Sequence, residues 1–414
     1  MKEEEFAERV RAGGGRLFIV GGWVRDSLRG AVPKDKDYLI SGLAEKDFQQ
    51  MFPQAKKVGR SFPVYLLSVA GKSAEIAFAR TERKTGHGYC GFTITADPAI
   101  SVEEDLYRRD TTMNSIAVEL PSHHLLDPFG GQQAIAQQQI QAVSQHFCED
   151  PVRALRAARQ AAVLGFSITE GTLSYMRQCR EELREEPAER LQQELERALL
   201  ADCPSVFFRY LQKAGLLETV FPEIAALIGR TQPVAFHPEG DAFVHSLQVL
   251  DETAMQTKNP AARFAALVHD LGKGTTPVAM EPHHYGHEAR GIAELAKWNA
   301  RGRLPKLWVQ CASLVIREHM RAPLLAKPGK IVALLLLLHK ALLPLPDFLA
   351  IIRADHGSLP GYLAHAEEIL PMLLAVSGKE APEDLQGQAV GVWIQSRQVQ
   401  VYQHFVHTMG MPGK

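Results

Sequence analysis

Residues 17–26 read LFIVGGWVRD and residues 34–40 read KDKDYLI, and these two stretches decide the first part of the fold. Leu17 to Val20 is a run of β-forming residues closed by Gly21-Gly22, and Tyr38 to Ile40 is a second such run. A strand ending in two glycines lets backbone N–H groups approach a phosphate closely, and Arg25 can add a charge-assisted contact. The same pair also reads as a plain tight turn. Asp35 and Asp37 stand two positions apart at the mouth of the second run, so both carboxylates can share one face of a strand. Two hard oxygen ligands suit Mg²⁺, which keeps substrate phosphates and water as its other ligands. A pair of such ions would activate a hydroxyl and stabilise leaving pyrophosphate. Without its neighbours, Asp-x-Asp reads rather as a solvated strand entrance, and the glycines before it and the apolar strand after it reverse that reading.

Outward from these stretches, short β-rich runs continue at Val64–Leu67, Ile76–Ala79 and Ile116–Leu120, separated by Gly- and Pro-bearing turns. Near residue 145 the pattern becomes almost wholly helical, with apolar residues at three- and four-residue spacing. Residues 177–200 are dense in Arg and Glu, as on a solvated helical segment. Two prolines and a glycine between Thr231 and Gly240 mark a further break. The 414 residues, 46% of them hydrophobic, can bury a large core and suggest two to four folded units. With a net charge of −1 there is no global basic field, so any polyanion site must be local. The five cysteines are scattered without a CxxC pair, which suits a reducing compartment. The charged start, MKEEEFAERV, lacks the apolar core of a signal peptide. Ile331 to Leu338 is too short to span a bilayer and reads as a buried helix. The expectation is a soluble, cytoplasmic protein with no membrane partner.

Three further clusters carry charge. Glu75 is a candidate third carboxylate or an edge-strand surface residue, and it stays outside the expected site. Glu104-Asp105-Leu106-Tyr107-Arg108-Arg109-Asp110 reads either as surface ion pairs or as a clamp whose guanidinium forks match a triphosphate. Arg80, Arg83 and Lys84 add cations, and the tract from Arg80 to Tyr89 looks like a mobile loop. In EDPVRALRAAR, residues 149–159, Asp before Pro is a good helix cap. Asp150 and Arg153 can also share a helix face. An Asp acceptor beside an Arg donor matches the edge common to cytosine and adenine, and guanine and uracil present the reverse order. Arg156 and Arg159 follow on the same helix and can reach phosphate or base.

The series IVGGWVRD, KDKDYLI, ARTERKTGHGYCGF, EEDLYRRDTTMNSIA, EDPVRALRAAR and PAERLQQEL resembles the class II tRNA nucleotidyltransferases in order and spacing over roughly the first half of the chain. The resemblance implies that Asp35 and Asp37 hold the catalytic Mg²⁺ ions and that Gly22, Arg25 and Arg109 contact the nucleotide. It implies that Asp150 and Arg153 are the amino-acid template for C and A. It also implies that the neck motif with Glu189 and Arg190 helps the pocket reshape between them. Trp23, where that family more often has a small residue, is a departure bearing on local packing.

In the second half, LVHDLGK (267–273) resembles the HD phosphohydrolases. Adjacent His269 and Asp270 offer an imidazole nitrogen and a carboxylate oxygen to a divalent metal. His245, His269, Asp270 and Asp355 form the expected metal set, with His287 and His319 holding a second metal or the phosphate. The His283-His284-Tyr285-Gly286-His287 cluster supports this. Such ligands accept Ni²⁺, Mn²⁺, Mg²⁺ or Zn²⁺. The resemblance implies phosphatase and 2′,3′-cyclic phosphodiesterase activity by metal-activated water.

Together these readings resemble a bacterial-type CCA-adding enzyme with a C-terminal HD domain. The expected fold is α+β and multidomain: an α/β head with a small mixed sheet (1–145), a helical neck and body (146–230), an all-helical HD domain (231–360) and a helical tail (361–414). The expected partners are tRNA, CTP and ATP, for a monomer or weak homodimer, with tRNA held through its phosphates in a salt-sensitive way. Two alternatives stand beside this. One is a bacterial poly(A) polymerase, which shares the head motifs but usually carries a basic C-terminal extension. The other is an HD phosphohydrolase whose head is a passive tRNA-binding module.

Overall fold

In the computed structural model, residues 1–59, 64–84, 92–233 and 238–410 are described. They form two compact units, residues 1–194 with 206–220, and residues 195–205 with 221–414.

The first unit is built on a mixed seven-stranded sheet. Its strands are β1 (Arg16–Val20), β2 (Asp37–Ser41), β3 (Lys56–Val58), β4 (Val64–Val69), β5 (Lys72–Phe78), β8 (Ala117–Leu120) and β9 (Leu125–Leu126), in the spatial order β3-β4-β5-β2-β1-β8-β9. A separate hairpin is formed by β6 (Arg80–Lys84) and β7 (Phe92–Ala96). β1 runs antiparallel to both β2 and β8, and after its first residue it is buried throughout. This is why LFIV reads as a continuous apolar run, with both faces of the strand covered. On one face Phe18, Val20 and Leu39 pack with Ile100, Val102, Leu106 and Ala117. On the other, Phe6 of α1 (Glu3–Ala12) meets Tyr38 and Phe52 edge-on, while Phe48 of α3 (Glu45–Met51) meets Tyr65 and Phe78. β2 pairs with β5 in parallel, which places Glu75 directly opposite Asp37.

Helices take over where the sequence changes character. α6 (Val152–Leu164) ends at Gly165, whose φ of 69° is the left-handed cap that glycine adopts without strain. It is followed by α7 (Glu170–Gln178), α8 (Arg180–Leu183) and α9 (Ala188–Leu199).

The second unit is helical. Five of its helices, Ala242–Gln256, Pro260–Val268, His287–Gly302, Lys306–Glu318 and Leu345–His356, carry or adjoin the conspicuous histidines and acids. The leucine-rich tract lies in the helix Pro328–Lys340 with Ile331, Val332, Leu334, Leu335 and Leu338 buried, as its composition suggested. No helix among the described residues is long and apolar enough to cross a membrane.

Two glycines let the helix His287–Gly302 come close to the His-Asp segment. A Cβ on Gly272 would overlap the His287 carbonyl oxygen, and one on Gly291 would stand 3.0 Å from Ile316 Cγ2 and 3.3 Å from the Gly272 nitrogen. Gly272 has no room for a methyl group, and at Gly291 one would press on the Ile316 side chain.

Candidate active sites

The head cluster forms where β1 turns into α2 (Gly22–Leu28). Gly21 has φ 74° and ψ −138°, a backbone state open essentially to glycine alone. A Cβ there would lie 3.5 Å from Arg109 Nη1 and 3.8 Å from Asp37 Oδ2, so the Gly-Gly, Asp-x-Asp and Arg-Arg-Asp segments converge on this turn. β2 begins at Asp37, and Asp35 lies in the extended segment before it. Asp37 faces solvent at the strand end, yet surrounding protein raises its carboxyl above the usual range. Partial burial is the main cause, followed by repulsion from Glu75 and Asp35, with Arg109 opposing. Repulsion of Asp37 by Glu75 and Asp35 is what a divalent cation would relieve, and carboxylate oxygens are the donors such a cation takes. Glu75, set aside from the sequence, stands beside Asp37. The parallel β2–β5 register that brings it there is not written in either strand alone. Lys36, between the two aspartates, is turned away. It lies 4.7 Å above the Trp23 ring and donates to the Glu3 carboxylate at 2.7 Å, which gives the unusual tryptophan a packing role.

From this turn a continuous polar chain leads to α6. Asp105, fully buried near the end of α4 (Val102–Tyr107), accepts from Arg108 and Arg109. Burial pushes its carboxyl up, but the two guanidinium groups outweigh this and hold it below the ordinary range. Arg109 Nη1 donates to the Asn114 carbonyl at 3.4 Å. Arg25 donates to both oxygens of Asp26 and, at 3.0 Å, to Asn114 Oδ1. Asn114 Nδ2 donates to buried Asp110 at 3.1 Å, and Asp110 faces Arg156 at 3.5 Å. Arg159 closes the series on Glu194 at 2.5 Å, with Arg156 3.8 Å from the same carboxylate. Gly22 lies against the Arg25 guanidinium. The side chains of Arg83 and Lys84, and residues 85–89 of the expected loop, lie outside the described residues.

α6 begins at Val152, one residue later than the Asp-Pro pattern suggested, so Asp150 lies in extended backbone just before the helix and Arg153 in its first turn. The Asp150 carboxylate accepts the Val152 N–H at 3.2 Å and so acts as a cap. Both its oxygens also accept from Arg190 Nη2 at 2.9 Å, and Arg190 Nη1 donates to Glu186 at 2.6 Å. Arg153 donates from Nη1 to the His146 carbonyl at 2.7 Å. The pairing of Asp150 with Arg190 was missed, because the two meet only through the packing of α9 against the turn before α6.

The second cluster is assembled from five helices. The α-helix ends at Val268, so His269 and Asp270 project from the turn beyond it rather than from a helix running on to glycine. Four imidazoles then aim Nε2 at a common centre. His269 is held through Nδ1 to the Ala266 carbonyl at 2.8 Å, His287 through Nδ1 to His284 at 3.0 Å, and His319 through Nδ1 to Val315 at 3.1 Å. His245 Nδ1 lies 2.7 Å from the Glu239 carboxylate. Asp270 Oδ2 is 3.2 Å from His269 Nε2 and 3.8 Å from His245 Nε2. Its Oδ1 is 3.2 Å from His287 Nε2 and 3.4 Å from His319 Nε2. Asp355 Oδ1 is 3.0 Å from His245 and 3.5 Å from His269. Five of the six expected residues therefore fall in two ligand groups that share Asp270: His245, His269 and Asp270, and Asp270, His287 and His319. The sixth, Asp355, stands beside His245 and His269 outside both groups.

These groups fit a cation. His269 Nε2 and Asp270 Oδ1 are buried and lack a hydrogen-bond partner, although charged atoms stand close. Burial lowers the His269 imidazole, but Asp270 and then Asp355 outweigh it and carry it up to about 10. Asp270 and Asp355 are both held well below the carboxylate range. Burial opposes this, overcome by Lys273 and His269 at Asp270, and by His269 and His245 at Asp355. Three neighbours escaped the sequence reading: Glu239, Lys273 paired with Asp270, and His356, whose Nε2 is 3.1 Å from Asp355. Lys273 follows His-Asp closely enough that its helical spacing could have flagged it. Of the nearby His cluster, His284 is bonded to Thr276 and Thr231, and His283 stacks on Tyr285, so only His287 joins the site.

An acid-lined strand turn with arginines around it, followed by helices and an HD histidine cluster, defines a nucleotidyltransferase-type head joined to an HD domain. Residues 17–141 match the family described as Poly A polymerase head domain, 165–228 that described as Probable RNA and SrmB-binding site of polymerase A, and 242–385 the HD domain. The multifunctional CCA protein of Nitrosococcus oceani is 44% identical over 323 residues, spanning 77% of this chain and 78% of that one. That of Shewanella denitrificans is 44% identical over 309 residues, spanning 73% and 74%. The chain belongs to the multifunctional CCA protein family. Its fold is similar to that of the Bacillus stearothermophilus CCA-adding enzyme in complex with CTP, with a TM-score of 0.61 at 22% identity over 98% of this chain and 92% of that one. It is also similar to the Thermotoga maritima CCA-adding enzyme complexed with tRNA, with a TM-score of 0.62 at 17% identity over 98% and 94%.

Proposed function

We propose that this chain adds the 3′-terminal CCA to tRNA from CTP and ATP, and that its HD cluster hydrolyses phosphate monoesters and 2′,3′-cyclic phosphates. The observation that carries the first half is the unbroken polar chain from the Asp37 turn through Arg109, Asn114 and Asp110 to Arg156 on the helix that Asp150 caps. This chain links the arginine beside the acidic turn to the helix whose first turn carries Arg153. Asp35 and Asp37, with Glu75 beside them, would hold divalent ions, Mg²⁺ being the expected identity. Ions there supply charge neutralisation for the attacking hydroxyl and the leaving pyrophosphate. Gly21 and Gly22 keep the turn open to the triphosphate, while Arg25, Arg109, Arg156 and Arg159 supply positive charge along it. Asp150 accepts from the exocyclic amine of C or A, and Arg153 donates to the adjacent ring nitrogen. For Asp150 to do so, Arg190 must surrender part of its hold.

In the HD cluster, His245, His269, Asp270 and Asp355 would hold a divalent ion such as Ni²⁺, with His287 and His319 beside a second ion or the substrate phosphate. An ion there supplies an activated water and a Lewis acid. The backbone carbonyls and Glu239 engage each Nδ1, which leaves Nε2 as the nitrogen turned inward, and an incoming cation would displace the Nε2 proton that Asp270 and Asp355 hold on His269. Supplying CTP and ATP, singly and together, to tRNA lacking its 3′ end tests the first half. Addition of C, C and A followed by arrest supports it, and a long A tract would point to a poly(A) polymerase. Asp35→Ala with Asp37→Ala should abolish addition and spare cyclic-phosphate hydrolysis, and Asp270→Asn should do the reverse. Loss of both activities in either variant contradicts two separate sites.

A further inference from the structure

Cys148 lies in the turn Gln145–Glu149, and Cys179 lies just past the end of α7. Their thiols interact with each other, and both donate to one oxygen, the Tyr175 carbonyl, at 3.5 and 3.4 Å. Phe147 and Tyr175 stack beside them with ring centroids 6.3 Å apart. The same turn supports both candidate base-reading residues, since Arg153 donates to its His146 carbonyl and Asp150 follows it directly. Cys148 is partly open to solvent and Cys179 is buried.

We propose that Cys148 and Cys179 form a reversible disulfide under peroxide, and that the bond stops nucleotide selection by drawing the Gln145–Glu149 turn towards α7. The second clause rests on the proposed function, and formation of the bond does not. Cys148, the accessible sulfur, attacks a peroxide oxygen as thiolate. An S–O bond forms, the O–O bond breaks, and the departing oxygen leaves as water with the thiol's proton. Cys179 sulfur then attacks the resulting sulfenic acid. An S–S bond forms, the S–O bond breaks, and a second water leaves, two electrons having passed from the thiols to the peroxide. Cys179 is the poorer first nucleophile, because the neighbouring Cys148 thiol and its own burial push its thiol up. A disulfide brings the sulfurs to about 2.05 Å, closer than any thiol–thiol hydrogen bond allows. A base-reading pair holds its geometry to within about 0.5 Å, so closure of that gap is enough to disable it.

The test treats the full-length protein with hydrogen peroxide, blocks free thiols and maps linked peptides by mass spectrometry. Incorporation of C and A on tRNA lacking its 3′ end is measured in parallel. A Cys148–Cys179 peptide is expected, with incorporation falling about tenfold or more, as for a displacement near 1 Å, and returning with dithiothreitol. Cys148→Ser should be immune, and Cys203→Ser, at an exposed thiol, should behave as wild type. Absence of the linked peptide at peroxide levels that oxidise Cys203 overturns the proposal. So does a linked peptide with unchanged incorporation, or an equal loss in Cys148→Ser. If the reduced protein adds no nucleotide at all, the proposed function has failed and the switch fails with it, while the peptide map still decides the bond.

Discussion

Arg190 donates from a single Nη2 to both carboxylate oxygens of Asp150, at 2.9 Å each, while its Nη1 serves Glu186. The residue proposed to read the base is thus already satisfied by the protein, and selection becomes an exchange of partners. Arg190→Met should leave Asp150 without its guanidinium and the buried Glu186 carboxylate unpaired. The expected cost is about 1–3 kcal/mol of stability, read by urea unfolding. Misincorporation of UTP relative to CTP should rise. Unchanged selectivity would mean that Arg190 is a structural brace only.

Glu75 faces Asp37 across the parallel β2–β5 pair. Glu75→Gln should preserve the fold, since the side chain is exposed, yet raise the Mg²⁺ concentration needed for half-maximal addition several-fold. A Mg²⁺ titration identical to wild type would remove Glu75 from the site.

Asp105 is expected to govern acid sensitivity of the head. Its folded carboxyl is depressed by Arg108 and Arg109 despite burial, so its contribution is complete above the unfolded value of roughly 4 and is lost as pH falls through the folded one. Asp105→Asn should cost about 3–5 kcal/mol at neutral pH, the range for breaking a buried pair. The gap from wild type should narrow below about pH 4. A gap that stays constant from pH 7 to pH 3 in denaturant titrations would contradict this.

Glu239 is expected to set the His245 tautomer. Glu239→Gln should weaken binding of Ni²⁺ or Mn²⁺ at the HD cluster by about 10–100-fold, measured by calorimetry on metal-stripped protein. Equal affinity in the variant would show that the contact orients nothing.

Much of this was readable from the chain because the information was local. Strand β1 announces itself by four apolar residues before two glycines, and His269-Asp270 by the apolar helix preceding it. What escaped depends on register or on distant packing. Glu75 gains meaning only when β5 is laid parallel to β2, and Arg190 reaches Asp150 only when α9 folds back. Cys148 and Cys179, read as scattered thiols, become neighbours only through the turn–α7 contact. Glu239 sits in a Pro- and Gly-rich stretch with no periodicity, so nothing marked it before His245 was placed.

Gly272→Ala should be among the most damaging single-methyl changes in the second unit, with overpacking costing about 1–3 kcal/mol or more. Thermal melting and Ni²⁺ affinity should fall together, and a variant with both intact would show that the helix can move.

That crossing at Gly272 and Gly291 bears on how the cluster could be re-tuned. The close approach of the helix carrying His287 to the His269–Asp270 segment depends on a missing methyl at Gly272. Exchanging ligand types alters chemistry inside an unchanged frame. Altering the spacing of that frame has to begin at the Gly272 hydrogen.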